Sequence, residues 1–319
     1  MGLLVSTQAM NIVEAQKRAG YTNAAEFLAG LVQKNDLLQF APWFESSDGA
    51  FHKWLHASRL GKGAFTQANS NVPAMSSGSD TKVEPLAIYE GDSTIDDRVL
   101  KTAKDRVKTR DSEDVANLEG FVQDWLYQLM YGVHITEGFK GLAARRANLD
   151  SKFTWGAGGS GSTCSSLWLF EFGDRGFNFR YPAGAQPGIS SQDRGLNKVP
   201  IPEGSGQMWA WIRHFEIIAG MELKNEKALL RLANIASTGS AFDTASFIKM
   251  KNQLPSIGRD AMGFCNRTVH ALIENEAYNK TNLSLSVKEM EGFGPIVRVA
   301  GVPVMFWESI TDTETALTA

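Results

Sequence analysis

One segment of this sequence is hard to accommodate in a single compact chain. From Ser46 to Asp80, and most of all in GKGAFTQANSNVPAMSSGSD, the chain is rich in Gly, Ser and Asn and offers little to bury. Long structureless segments are uncommon in compact domains and are usually functional or disordered. The segment VEPLAIYE then returns as a strand. The pattern predicts a long two-armed excursion that a neighbouring subunit would stabilise.

The strongest periodic signal lies in DSEDVANLEGFVQDWLYQLMYG. Its apolar residues have the spacing of one helix face: Val115, Leu118, Phe121, Val122, Trp125, Leu126, Leu129 and Met130. The sequence therefore predicts a long helix over about 112–131, with Ser112 as N-cap and Gly132 at its end.

Two further helices are predicted over 6–19 and about 22–34. The basic segment KTAKDRVKTR, upstream of the long helix, is interpreted as a solvated face, with an anion- or DNA-facing patch as the alternative.

Much of the remaining chain has the alternation of β-strands. The runs SLWLFEF and FNFRYP flank GDRG, a pattern typical of a β-hairpin. Further strands are predicted in MWAWIRHFEIIAGMEL, ALLRLANI, AMGFCN, LSLSVKEM and PIVRVAGVPVMFWESI, and helices in FDTASFIKMKNQL and RTVHALIENEAYN. The fold class predicted from these elements is α+β.

A glycine-rich stretch, WGAGGSGST, resembles a phosphate-binding loop. Gly156, Gly158 and Gly161 fit G-x-G-x-x-G, but Ser162 stands where a P-loop has its lysine. Both motifs also require a helix after the loop, whereas the following residues predict a strand. A turn before a strand is therefore favoured, and a cytosolic nucleotide-binding enzyme using 156–163 is the alternative of a different class.

The composition indicates a globular protein without an evident catalytic centre. The 319 residues are 43% hydrophobic, the net charge is −3, and two cysteines cannot form a disulfide framework. His52 and His56 have H-x-x-x-H spacing, but Lys53 stands where a metalloprotease has Glu. Cys265 is interpreted as an inert thiol. The sequence thus predicts no enzyme, no catalytic, cofactor-binding or metal-binding residues, no cofactor, and no run of the ~20 apolar residues that cross a membrane.

Four segments together resemble the major capsid protein of short-tailed (podovirus-type) double-stranded DNA bacteriophages, which has the Hong Kong 97 (HK-97) fold. They are MYGVHITEGFKGLAARRANL, SLWLFEFGDRGFNFRYPAGAQPGISSQDRG, GFCNRTVHALIENEAY and VAGVPVMFWESITDTETA. The resemblance covers about residues 85–319. It implies that the excursion is an extended loop lying over an adjacent subunit.

The resemblance also implies a division of the chain. Residues 1–42 would form an N-terminal arm and 43–95 the extended E-loop. Residues 96–155 and 284–319 would form the peripheral (P) domain, with its spine helix at about 112–131. Residues 156–283 would form the axial (A) domain.

As a function, the resemblance implies self-assembly as hexamers and pentamers into the icosahedral shell that encloses the phage double-stranded DNA genome. The partners implied are copies of the chain itself, scaffold, portal and cement proteins, and packaged DNA held by non-specific contact. The protein would assemble in the host bacterial cytoplasm and reside in the virion. An encapsulin-type nanocompartment, which encloses protein instead of DNA, is the alternative with the same fold.

Overall fold

The computed structural model describes residues 36–134, 138–174, 176–185, 187–201, 206–236, 242–278, 285–290 and 294–318. Its helices are α1 (Leu37–Phe40), α2 (Asp97–Thr102), α3 (Arg106–Tyr131), α4 (Leu142–Arg145), α5 (Thr244–Lys251) and α6 (Arg267–Tyr278). Its strands are β1 (Trp43–Glu45), β2 (Phe51–Arg59), β3 (Gly78–Pro85), β4 (Ala87–Asp96), β5 (Thr154–Gly156), β6 (Cys164–Glu171), β7 (Phe177–Tyr181), β8 (Ile189–Pro200), β9 (Gln207–Leu223), β10 (Leu229–Ala236), β11 (Ala261–Cys265), β12 (Leu285–Met290), β13 (Gly294–Val299) and β14 (Val302–Phe306). The predicted helices over 6–19 and 22–34 lie outside the described residues.

The long strand β9 organises a five-stranded sheet, with the order β1-β7-β9-β4 and β8 also paired to β9. All pairs with β9 are antiparallel, and its register with β4 runs from Ala87↔Ala219 to Asp96↔Ala210. Helix α3 packs on this sheet through Phe121, whose ring lies 4.8 Å from Tyr89 and 6.2 Å from Phe215. The amphipathic stripe predicted from the sequence therefore faces a sheet.

A seven-stranded sheet, in the order β12-β13-β14-β11-β6-β10-β5, forms the second layer. Strand β6 lies inside it and is buried along its whole length. Because successive side chains of a strand point to opposite faces, β6 contributes to two cores. Trp168 and Phe170 join the core that contains α3, whereas Leu167 and Leu169 join the core covered by α5 and α6.

Helix α3 begins six residues before the predicted start. Asp105 is its N-cap, and the Asp105 side chain accepts a hydrogen bond of 3.1 Å from the Lys108 N–H. Ser112 lies inside the helix and its hydroxyl donates to the Thr109 carbonyl at 2.9 Å. The prediction of Ser112 as N-cap was wrong, because the aspartate upstream offers an equally good cap and the intervening basic residues form helix readily.

The predicted hairpin around GDRG was also wrong. Both runs are strands, but β6 pairs with β10 and β11, while β7 pairs with β9 and β1. Since both edges of β6 are occupied, β7 cannot pair along it. The turn instead passes the chain between sheets, and a Cβ at Gly176 would lie 2.0 Å from the Glu171 carbonyl oxygen.

Strands β2 and β3, with the residues 60–77 that connect them, form a separate two-stranded sheet, hereafter the ribbon. Its pairing runs from Phe51↔Pro85 to Arg59↔Gly78. The two arms predicted from the polar segment are thus hydrogen-bonded to each other. In the described part of the chain, no helix has the length and hydropathy of a membrane span.

The sheets cut across the predicted domain division. Strands β12–β14, placed with the spine helix by the sequence analysis, continue the sheet of β11, β6 and β10. Conversely, β9 was placed in the axial range but pairs with β4 and packs against α3. The predicted boundary near residue 284 therefore separates strands of one sheet.

Candidate functional site

The ribbon is the most exposed part of the described chain. Every residue from 60 to 77 is exposed, including large apolar side chains. Those on the ribbon are Phe51, Leu55, Leu60, Phe65, Val72, Met75 and Val83, and Phe65 has a relative exposure of 109%. Exposed apolar side chains that cluster together are typical of interaction surfaces. No described residue covers these side chains, so the ribbon presents them to a partner.

The base of the ribbon is held by a buried carboxylate. Glu222, on β9, is fully buried and its Oε1 accepts a hydrogen bond of 2.9 Å from His52 Nε2. The Ser47 N–H donates to His52 Nδ1 at 3.1 Å, which identifies Nε2 as the protonated nitrogen. The His52 ring also stacks on Trp54, at 5.6 Å between centroids. The start of β2 is thus fixed to β9.

Other donors complete the environment of Glu222. Arg180 Nε and Asn178 Nδ2 donate to Glu222 Oε2 at 3.0 and 3.2 Å. Burial acts to raise the pKa of Glu222, but the hydrogen bonds from Arg180 and His52 outweigh it and hold the pKa below its usual range. Glu222 is therefore an ionised carboxylate at neutral pH.

A second set of ion pairs holds the returning strand β3. Arg145 donates to both oxygens of Glu84 at 2.8 and 2.9 Å, a bidentate pair. Lys82 Nζ lies 2.8 Å from Glu226 Oε1, and Arg146 Nη2 lies 2.9 Å from Glu226 Oε2. Burial opposes ionisation of Glu226, but these two cations lower its pKa overall. The two arginines of the GLAARR segment thus lie where the ribbon joins the body of the chain.

Local sequence pattern does not predict this anchor. Glu222 does leave a signal, because it is a carboxylate inside the apolar run EIIAGMEL. Such a buried charge requires partners. Those partners come from β2 and β7, which lie far from Glu222 in the sequence, so their identity depends on the fold.

The glycine-rich loop 156–163 leads from β5 into β6, a strand, as the sequence predicted. Its backbone is paired with the chain itself: Ala157 N–H donates to Ala233 O and Gly159 N–H to Asn234 O, both at 2.8 Å. A Cβ on Gly159 would lie 2.6 Å from the Asn234 carbonyl oxygen. Gly159 thus allows close packing of two backbone segments. Because the amides of Ala157 and Gly159 already donate to backbone carbonyls, they are not available to bind a phosphate.

The other candidate residues are dispersed. His52 and His56 lie on strand β2, not on a helix, and His56 Nδ1 donates to the Lys224 carbonyl at 3.2 Å. Cys265 is fully buried, and burial raises the pKa of its thiol. In the basic segment, Arg110 pairs with Asp193 at 2.7 Å and lies 5.0 Å from the Trp211 ring centroid.

Comparison with known families gives one match over most of the chain. The profile described as Major capsid protein GP7 matches residues 21–318. Among curated proteins the comparison finds no match.

Several solved structures are similar to the chain. The structure of bacteriophage Epsilon15 aligns with a TM-score of 0.68 and 22% identity over 100% of both chains. The capsid of bacteriophage JBD30 aligns with a TM-score of 0.47 and 9% identity, covering 91% of this chain and 96% of its own. The SrpI encapsulin complex of Synechococcus elongatus aligns with a TM-score of 0.46 and 10% identity, covering 73% and 99%. The Epsilon15 alignment confirms the predicted α+β fold of the Hong Kong 97 type.

Proposed function

Because the chain belongs to the Major capsid protein GP7 family, we propose that its ribbon lies on a neighbouring copy in hexamers and pentamers of an icosahedral shell. As a major capsid protein it is a structural component of the phage virion. Copies of the chain are accordingly its principal partner. The observation that carries the proposal is the ribbon itself, with a fully exposed tip and a base fixed by ion pairs.

This combination suits assembly for a physical reason. An exposed apolar segment gains most from a partner when it loses little conformational freedom on binding. The pairs His52–Glu222 and Arg145–Glu84 restrain both strands at the base, so the ribbon is oriented before it meets a neighbour. In this proposal the ribbon, at 51–85, forms the projecting part of the E-loop expected at 43–95, and residues 60–77 are its exposed tip.

We propose the two remaining domains on the basis of sheet membership. We assign α3 and the sheet around β9 to the peripheral domain, and the seven-stranded sheet with α5 and α6 to the axial domain. Residues 1–42 remain the proposed N-terminal arm. The shell would enclose double-stranded DNA through non-specific contact, and would assemble in the host cytoplasm with scaffold, portal and cement proteins.

The experiment replaces 60–77 by Asn-Gly, which closes the Arg59↔Gly78 pair with a two-residue turn. All replaced residues are exposed. We therefore expect the free energy of unfolding of the unassembled subunit to stay within about 0.5 kcal/mol of the wild-type value. Shell yield, measured by sedimentation and electron microscopy, is expected to collapse. A shortened ribbon that unfolds the subunit would mean that the tip belongs to the core, and shells of normal yield would mean that the tip makes no essential contact.

A matched pair of variants distinguishes the effect of apolar contact on shell yield from the effect of loop length. The first changes Phe65, Val72 and Met75 to Ser, and the second changes Lys62, Gln67 and Asn71 to Ser. Both keep the length of the tip, and all six residues are exposed. We expect the first variant to lower shell yield much more than the second. Equal effects would contradict an apolar docking surface.

A further inference from the structure

A polar cluster lies on the face of the five-stranded sheet that points away from α3. On β4, Tyr89 contacts Phe121 and Ser93 donates to Asp114, so these residues face the helix. Because side chains alternate along a strand, Glu90 and Asp92 lie on the opposite face. Their cross-strand partners on β9 are Glu216 and His214, respectively. The shell function described above uses none of these four side chains.

The imidazole of His214 is oriented by one carboxylate and directed at two others. Its Nδ1 donates to Asp92 Oδ1 at 2.7 Å. In the neutral ring this leaves the Nε2 lone pair free. Glu90 Oε2 and Glu216 Oε2 each lie 3.6 Å from Nε2, beyond hydrogen-bond distance. The His214 side chain is only 8% exposed, and its Nε2 is directed at both glutamates.

The two glutamates face each other directly across the strands, since Glu90 pairs with Glu216 in the register. Like charges in such a pair are destabilising. Arg194 lies 3.5 Å from the second oxygen of Asp92. Among the described residues, His214 is the only cationic or titratable partner within ion-pair distance of either glutamate. The cluster therefore has more negative charge than its own residues neutralise.

The spacing fits a metal ion of the zinc type. Zinc lies about 2.0–2.2 Å from histidine nitrogen and carboxylate oxygen, so two ligand atoms of a tetrahedral site are about 3.4 Å apart. The separation of 3.6 Å between Nε2 and each glutamate oxygen is close to that value. The ligand atoms of Glu90, His214 and Glu216 all lie within 4.8 Å of one another. A carboxylate on the second histidine nitrogen is the arrangement that orients metal-binding histidines.

We propose that Glu90, His214 and Glu216 bind a divalent transition metal ion such as zinc, with Asp92 as a positioning residue. Imidazole together with carboxylates favours such an ion over magnesium or calcium, which take oxygen ligands. The bound ion would join β4 to β9. Since β4 follows directly after the ribbon strand β3, the ion would reinforce the body of the chain beside the ribbon base. The site goes beyond the shell function, and its test does not require assembly.

The test is zinc binding by the full-length, unassembled subunit after removal of metals with a chelator. Equilibrium dialysis against micromolar zinc with elemental analysis gives stoichiometry and affinity. We expect one ion per chain in the wild type, and roughly tenfold or greater weakening in His214→Gln and in Asp92→Asn. His134→Gln is the matched control, because His134 is an exposed histidine outside the cluster, and its affinity is expected to equal that of the wild type.

Cobalt(II) provides a second readout, because its visible absorption distinguishes four-coordinate from six-coordinate sites. We expect a four-coordinate spectrum in the wild type and its loss in Glu216→Gln, which decides the question even if His214→Gln does not fold. Failure of the wild type to take up zinc would overturn the proposal. Undiminished zinc binding in both His214→Gln and Glu216→Gln would also overturn it.

Discussion

Replacing Glu222 by Gln is expected to destabilise the subunit by about 3 kcal/mol. Glu222 is fully buried and accepts hydrogen bonds from His52, Asn178 and Arg180. Breaking a buried ion pair by removing one partner costs about 3–5 kcal/mol, because the other charge stays buried. Arg180 is 12% exposed and keeps its hydrogen bond to the Glu45 carbonyl at 2.8 Å. The lower end of the range therefore applies.

The destabilisation caused by Glu222→Gln depends on pH in a defined direction. The folded-state pKa of Glu222 lies below the ordinary glutamate value of 4.5, so ionised Glu222 stabilises the fold above that pH. This stabilisation is lost as pH falls from 4.5 through the lower folded-state pKa. We therefore expect the difference in unfolding free energy between wild type and Glu222→Gln to be constant near neutral pH and to shrink below 4.5.

Urea unfolding of the unassembled subunit, followed by tryptophan fluorescence, measures the effect. Trp54 lies against His52 and reports on the ribbon base. Asp111→Asn is the control, because Asp111 is an exposed carboxylate and its loss is expected to change stability by less than about 0.5 kcal/mol. A cost below about 1 kcal/mol for Glu222→Gln, or a difference that does not shrink at low pH, would refute the role given to this carboxylate.

Two further substitutions test neighbouring features. Arg145→Ala removes the bidentate pair with Glu84, so we expect faster hydrogen exchange in 51–85 and a loss of global stability of only about 1 kcal/mol, because both side chains are partly exposed. Unchanged exchange of the ribbon amides would argue that this pair does not restrain the ribbon. Gly159→Ala places a Cβ 2.6 Å from the Asn234 carbonyl oxygen, and the overlap is expected to cost about 1–3 kcal/mol in urea unfolding. A neutral result would show that the loop is not packed against β10.

Hydrophobic periodicity correctly predicted the long helix α3. Trp125, Leu126, Leu129 and Met130 of the predicted helix are all buried in the core. Val115, at the other end of the same stripe, is 38% exposed, since the first turns of α3 extend beyond the apolar core. Periodicity therefore identified the helix and most of its buried face but not its start.

Strand pairing could not be read from local pattern. SLWLFEF and FNFRYP both become strands, but β6 pairs on its two edges with β10 and β11, which come from distant segments of the sequence. The same reason explains why the anchor was missed. Glu222 is visible as an isolated charge in an apolar run, whereas its partners His52 and Arg180 are 170 and 42 residues away.

The most direct measurement is the assembly state of the chain expressed alone, by light scattering and negative-stain electron microscopy, and again with its scaffold co-expressed. We expect hexamers, pentamers or closed hollow shells in at least one of the two preparations. A chain that remains a 34.9-kDa monomer in both preparations would contradict assembly as the role of the ribbon.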